Sequence, residues 1–299
     1  MIFSSVVPAG TEKNTALPDY LARRFTYHGR DEWAGIIGAG KITVNGRAAR
    51  AGDMPAPGDV VAYDAGEFEE PAADLAYRIC YEDEWIIGVD KPGNLLVHRA
   101  GRSVRNNCIY QLRHVHAPPY PEAHAVHRLD RETSGVLCVV KTASVRAALA
   151  RQFAEGKVDK KYVAVVRGMP QTGTIALPIG KPIFSGVSCM HGVMAGGKPA
   201  MTEIIERRPL GAEHALVTAR PLTGRTHQIR VHLAVAGAPI VGVRLYGVER
   251  GVFPRQALHC ASLSFVHPVT GKTCRMEAPL PADLHALIER LSGETMRGD

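Results

Sequence analysis

The sequence predicts an α+β protein in two parts. Strand-like and helical segments follow one another irregularly, without the steady strand–helix alternation of a parallel sheet. An acidic, proline-containing stretch from Gly66 to Ala73 separates a short helix-and-hairpin segment from a longer one in which strands dominate. The two parts are expected at 1–66 and 67–299.

In the first part, Leu17, Leu21 and Phe25 fall on one face of a predicted helix. A weaker helix runs through Trp33, Ile36 and Ile37 and ends at Gly38 and Gly40. Lys41 to Gly46 alternates as a strand and closes on Asn45-Gly46, a strong hairpin-turn pair. Pro57-Gly58-Asp59 then turns into a strand at Val60-Val61.

In the second part, Trp85 to Val89 and Gly135 to Val140 are apolar runs of buried-strand length. Thr142 to Gly156 is the clearest helix: Val145, Ala148, Leu149 and Phe153 share a face, Thr142 stands at the cap and Gly156 at the end. Strands follow at Lys161 to Arg167 and Ala215 to Arg220. A C-terminal amphipathic helix carries Leu284, Leu287, Ile288 and Leu291.

Composition narrows the function. Apolar types make up 45% of 299 residues and charged types 22%, a globular balance. No apolar run approaches the ~18 residues that span a bilayer. The N-terminus lacks the basic start and apolar core of a secretory signal. A cytoplasmic protein is expected, its six cysteines reduced and mostly buried. The net charge is +7, and residues 1–65 hold seven basic and seven acidic side chains, so the surplus lies wholly beyond them. An acidic partner is implied, nucleic acid first.

Several apparent motifs fail. Gly35 to Lys41 and Gly192 to Lys198 approach a phosphate-binding loop, but Ile42 and Pro199 stand where Ser or Thr would hold magnesium. His114, His116, His124 and His127 crowd together without cysteine or acidic partners at zinc spacing, in a segment broken by Pro118, Pro119 and Pro121. No metal and no cofactor is expected.

Two clusters carry chemistry. In Val126-His-Arg-Leu-Asp-Arg-Glu-Thr-Ser-Gly135, the carboxylate of Asp130 lies among His127, Arg128 and Arg131, whose positive charge favours its ionised form. In Thr223-Gly-Arg-Thr-His-Gln-Ile-Arg-Val-His232, the second half reads as a strand with Gln228, Arg230 and His232 on one face.

With Tyr81-Glu-Asp-Glu-Trp85, Asp90-Lys-Pro-Gly93, Lys160-Lys-Tyr162, Pro239-Ile-Val-Gly242, Leu245-Tyr-Gly247 and Ala257-Leu-His259, these segments resemble the RluA-type family of RNA pseudouridine synthases, in the family's order from about residue 77 to 280. Residues 15–64 resemble the small αL-type RNA-binding module often placed ahead of that domain, but Asp31, Glu32, Ala34 and Gly35 stand where it usually carries basic residues. The resemblance implies a mixed, largely antiparallel sheet flanked by helices around a cleft, and isomerisation of uridines in structured RNA, ribosomal or transfer, without cofactor or obligatory protein partner. Asp130 would be the catalytic carboxylate, attacking ribose or base or removing a sugar proton. Tyr162 would line the pocket against uracil and serve as a base late in the reaction. Arg230 would pair with Asp130, with Arg225 the alternative. Leu258 would form an apolar wall, and His127, Arg128, Thr133 and His227 would face the nucleotide. Competing readings are a non-catalytic RNA-binding protein with the same fold and a glycosidic hydrolase. The hydrolase needs a second carboxylate, for which Glu132 is the nearby candidate.

The charge distribution yields a prediction. Binding through neutralised phosphates falls with salt at about −0.7 to −0.9 per contact. A form beginning near Ala72 should therefore keep nearly the full salt slope for RNA, measured beside the full chain across a salt series. A slope cut by half would show instead that Arg23, Arg24, Lys41, Arg47 and Arg50 act as a concentrated patch.

Overall fold

The computed structural model describes every residue except 1, 13, 26, 27, 68, 182–189, 244, 247–252 and 294–299. Cys189, one of the six cysteines, and Gly247 of the quoted Leu245-Tyr-Gly247 lie outside the described residues. The chain divides into two compact units, Met1–Pro71 with Ala100–Val104 and Ala72–Arg99 with Arg105–Asp299.

The smaller unit runs β1 (Ile2–Val6), α1 (Leu17–Arg24), α2 (Arg30–Gly38), β2 (Ile42–Val44), β3 (Arg47–Ala48) and β4 (Val60–Asp64). Its sheet has the order β1-β4-β2-β3, antiparallel throughout. Asn45 and Gly46 both take positive φ, as the two-residue hairpin turn between β2 and β3 requires. Leu17 and Leu21 of α1 and Trp33 and Ile37 of α2 are buried against Ile42 and Val61. Trp33 meets Tyr63 edge-on at 5.3 Å. Each helix thus buries one face on a single small sheet.

The larger unit opens with β5 (Arg78–Glu82), β6 (Ile86–Lys91), α3 (Cys108–His114), β7 (His124–Ala125), β8 (Ser134–Val140) and α4 (Ala143–Ala154). It continues through β9 (Asp159–Arg167), β10 (Gly173–Ala176), β11 (Ile179–Gly180), β12 (Gly192–Val193), β13 (Met201–Leu210) and β14 (His214–Pro221). It closes with α5 (Gln228–Val235), β15 (Leu258–Val266), β16 (Thr273–Glu277) and α6 (Ala282–Ser292). Ten strands form one mixed sheet of order β10-β13-β14-β9-β15-β8-β6-β5, with β16 on β15 and β7 on β8. Every pairing is antiparallel except β8 with β15. The expected α+β architecture with a largely antiparallel central sheet is therefore what the chain adopts. β8 is buried along its whole length, which is why its sequence from Gly135 to Val140 is an unbroken apolar run.

The structure corrects two local expectations. Gln228 to His232 is not a strand but the start of α5. Thr142 stands at the N-cap of α4 but makes no capping bond; its hydroxyl pairs with Ser144 at 2.9 Å. The described cysteines are free thiols, all buried but the half-buried Cys80. No described helix is long and apolar enough to cross a membrane.

The parallel junction depends on one glycine. Gly135 has φ +104°, and a Cβ there would overlap the Cys260 carbonyl of the neighbouring strand. Gly271 has φ +68° but open space around it. Gly135→Ala should therefore cost about 3 kcal/mol or more, strain and overlap together. Gly271→Ala carries only the strain and should cost about 1–2 kcal/mol. Urea unfolding of the two variants measures the difference; equal costs would contradict this account of the junction.

Candidate active site

All nine residues singled out in the sequence line one cavity of about 400 Å³. Its walls come from the loop before β8 (His127, Arg128, Asp130, Thr133), the middle of β9 (Tyr162), the start of β15 (Leu258), and the turn and first residues of α5 (Arg225, His227, Arg230). Register explains the convergence of three of these elements. Tyr162 pairs with Cys260 on one side of β15, and Gly135 pairs with the same Cys260 on the other.

At the centre, Arg230 Nη1 donates to Asp130 Oδ2 at 2.8 Å. The Arg230 side chain is only 9% exposed, so its charge must be matched within the protein. Arg225 does not make this bond; its Nε donates to the Pro199 carbonyl at 2.8 Å. Of the two arginines, Arg230 makes the pair, and it does so from a helix and not from a strand. On a helix, residues two apart point to nearly opposite sides. Arg230 accordingly faces Asp130, while Gln228 and His232 both turn to Thr202, at 3.0 and 2.9 Å.

His227 caps α5 with φ +57°, a left-handed conformation rare for residues other than glycine. Its Nδ1 lies 2.8 Å from the Tyr246 hydroxyl, which already accepts a bond from the His191 backbone N–H at 2.9 Å. In the tautomer in which the hydroxyl donates to Nδ1, the ring proton sits on Nε2, 3.7 Å from Asp130 Oδ2. Burial, followed by the Arg230 charge, depresses the His227 pKa to about 4, so the ring is neutral at physiological pH. Tyr246 also lies under the Arg230 guanidinium at 5.0 Å.

The remaining walls are fixed from behind. His127 accepts from the Cys138 N–H at 2.9 Å and stacks on Phe153 at 4.6 Å, and burial lowers its pKa to about 3. It presents a neutral ring. Tyr162 is 8% exposed, and burial drives its phenol well above the ordinary value, so it enters the cavity protonated. Thr133 accepts a short hydrogen bond from Gln256 Nε2. Lys91 is wholly buried and donates to the carbonyls of Pro92, Leu95 and Arg131, and burial lowers its pKa to about 7. Arg128 stays exposed. The cavity combines an apolar, aromatic wall with a carboxylate and its cation, the composition of a site that holds a flat, partly polar group.

Phe153, Lys160, Gln228 and Tyr246 also shape the site but received no role from sequence. Lys160, Gln228 and Tyr246 lie inside the quoted motifs. Phe153 lies on the expected apolar face of α4, where an aromatic reads as core. Tyr246 acts through His227, and nothing in linear spacing relates the two.

A human RNA pseudouridylate synthase domain-containing protein superposes with a TM-score of 0.60 at 29% identity, over 73% of this chain and 90% of that one. Residues 86–235 match the family model described as RNA pseudouridylate synthase. Ribosomal large subunit pseudouridine synthase D of Pseudomonas aeruginosa is 35% identical over 92% of this chain and 91% of its own length. The RNA pseudouridine synthase YlyB of Bacillus subtilis is 34% identical over 94% and 95%. The chain belongs to the RNA pseudouridylate synthase family.

Buried neutral histidines make stability pH-dependent. His259 is wholly buried, sits 3.0 Å from Ser134 Oγ and 3.1 Å from the Ala278 carbonyl, and has its pKa lowered by burial to about 4. Between about 4 and 6.5 the unfolded chain binds a proton that the folded chain refuses, so stability falls as pH drops through that window. His259→Gln should flatten the dependence by about one proton, or about 1.4 kcal/mol per pH unit. Urea midpoints measured across that range in both proteins check it; parallel profiles would refute it.

Proposed function

We propose that this enzyme isomerises uridine to pseudouridine in ribosomal RNA in the cytoplasm, with Asp130 as the catalytic carboxylate. The observation that carries the reading is the Asp130–Arg230 pair, 2.8 Å apart in the wall of a cavity large enough for one nucleotide. The relatives named as ribosomal large subunit synthases favour ribosomal RNA over transfer RNA as substrate.

The reaction breaks the bond from uracil to ribose, turns the base over and rejoins it through a ring carbon. That carbon loses its proton, and the freed ring nitrogen gains one. Atoms and electrons balance within the nucleotide, so no oxidant or energy source is consumed. The chain must draw the base from its stack, hold it while detached and exclude water. Asp130 reacts with ribose or base, or takes a sugar proton; Arg230 keeps the carboxylate oriented and charge-matched. Tyr162 and Leu258 provide the flat apolar wall, with Tyr162 entering as a neutral phenol. His227 turns its Nε2 toward the reacting carboxylate, and His127 and Thr133 complete the wall. Arg128 and Arg225 sit at the cavity edge, where phosphates flanking an extruded base would run. Residues 1–66 form the accompanying αL-type module, which positions RNA by shape and hydrogen bonding rather than by net charge.

Asp130→Asn is nearly isosteric and should leave folding and RNA affinity close to wild type while lowering pseudouridine formation by more than ~10³-fold. Pseudouridine formed at a tenth of the normal rate would overturn the assignment. Mapping pseudouridines in RNA from cells with and without the protein identifies the substrate. Release of free uracil would point to the hydrolase instead.

A further inference from the structure

We propose that Arg255 and Asp283 form a clamp that positions the Asp130 loop, with Asp283 in the first turn of the C-terminal helix α6 as its anchor. The proposal rests on the assignment of Asp130 and names what holds it in place.

Arg255 lies just before β15, and its side chain is 8% exposed. All three of its guanidinium nitrogens are engaged. Nε and Nη2 donate to Asp283 Oδ2 and Oδ1 at 2.7 and 2.9 Å, a two-bond fork of the kind that fixes orientation as well as charge. Nη1 donates to the Glu132 carbonyl at 3.0 Å and to the Gln256 carbonyl at 3.1 Å. The guanidinium therefore ties α6 directly to the backbone two residues after Asp130.

The neighbouring residue reinforces the grip. The Gln256 N–H donates to Glu132 Oε2 at 3.2 Å, and its side-chain amide makes the short bond to Thr133. On the far side of the loop, the Arg131 carbonyl accepts from the Leu95 N–H at 3.1 Å. The Thr133 N–H closes the turn on the Asp130 carbonyl at 3.1 Å. Arg131, Glu132 and Thr133 are thus each held from outside the loop, and Asp130 inherits its position from them.

Two glycines make room for the clamp. A Cβ at Gly93 would overlap Arg255 Cδ, and one at Gly242 would overlap the Arg255 carbonyl. Neither position tolerates a side chain while Arg255 stays where it is. Space has been kept around this arginine at the backbone level, on two separate segments.

Asp283 also differs from its partner in exposure: its side chain is 41% exposed, at the first turn of α6. It touches neither the cavity nor Asp130. Its replacement stays partly solvated and leaves the carbonyl bonds of Arg255 in place, whereas truncating Arg255 would strip the Glu132 and Gln256 carbonyls of their donor as well as Asp283 of its partner.

The test compares variants of the full chain acting on ribosomal RNA from cells that lack the protein. A displacement of about 1 Å at the reacting group costs about 10²-fold, so Asp283→Asn should lower kcat by about 10- to 100-fold with KM changed less than about threefold. Asp283→Glu, which keeps the charge, should restore part of that loss. Leu287→Ala loosens the buried face of α6 without touching the clamp. It should lower the urea midpoint yet keep kcat within about twofold of wild type. Full kcat in Asp283→Asn, or an equal loss in Leu287→Ala, would overturn the clamp and leave α6 a structural helix. Asp130→Asn separates the two assignments. If it is active, the Asp130 reading fails; if it is inactive while Asp283→Asn is fully active, the clamp alone fails.

Discussion

A buried guanidinium facing a carboxylate is the constraint around which the larger unit is organised. Arg230 is too deeply buried to be solvated, and an unpaired buried cation costs several kcal/mol. Asp130 must therefore lie where α5 delivers that arginine, and α5 must be enclosed. Its first six residues are all buried. The polar ones are tied to named partners: Gln228 to Met201, Thr202 and Thr223, Arg230 through Nη1 to Asp130, His232 to Thr202 and Leu177. A helix so placed cannot shift without breaking bonds on several sides, and this rigidity fixes one half of the pair.

The other half is fixed by the sheet. Asp130 precedes β8, the strand that meets β15 in the sheet's one described parallel pairing. Gly135 lets the two backbones approach more closely than any side chain would permit. Lys91, at the end of β6, reaches beneath the same loop and donates to the Arg131 carbonyl at 3.3 Å as well as to its own turn. No described carboxylate forms an ion pair with that lysine, although the charges of Asp130 and Asp74 act on it; carbonyl dipoles hold its ammonium, and burial shows in its depressed pKa. The loop spends this much buried polar chemistry because a carboxylate that must meet a reacting atom needs position more than it needs local stability.

Charge in the smaller unit is arranged differently. Arg23 pairs with Glu12, Arg30 with Asp19 and Arg47 with Asp53, all on the surface. Such pairs contribute little to stability, roughly 0–1 kcal/mol each. Their effect is on the field: cations interspersed with anions within 2.5 to 3.0 Å do not add into a patch. Three of the seven cations in residues 1–65 are thus neutralised locally, each by an anion in direct contact.

Much of this was legible in the sequence, but not by one route. Elements with one buried face announced themselves: α1 through Leu17 and Leu21, α4 through Val145 and Leu149, α6 through Leu284 and Leu287, each a stripe at helical spacing. The hairpin at Asn45-Gly46 was readable because its turn demands positive φ. The nine candidate site residues came from the family resemblance and not from any local pattern, and the structure gathers them around one cavity. What failed was α5, and the reason is physical. A stripe arises only when a helix has a wet side. Buried around its circumference and carrying Gln, Arg and His on specific partners, α5 has none, so its alternating Gln-Ile-Arg-Val-His-Leu imitates a strand. The same burial that erased its periodicity brings Arg230 to Asp130. The segment closest to the chemistry is hardest to read from pattern because its polar residues answer to individual partners and not to solvent.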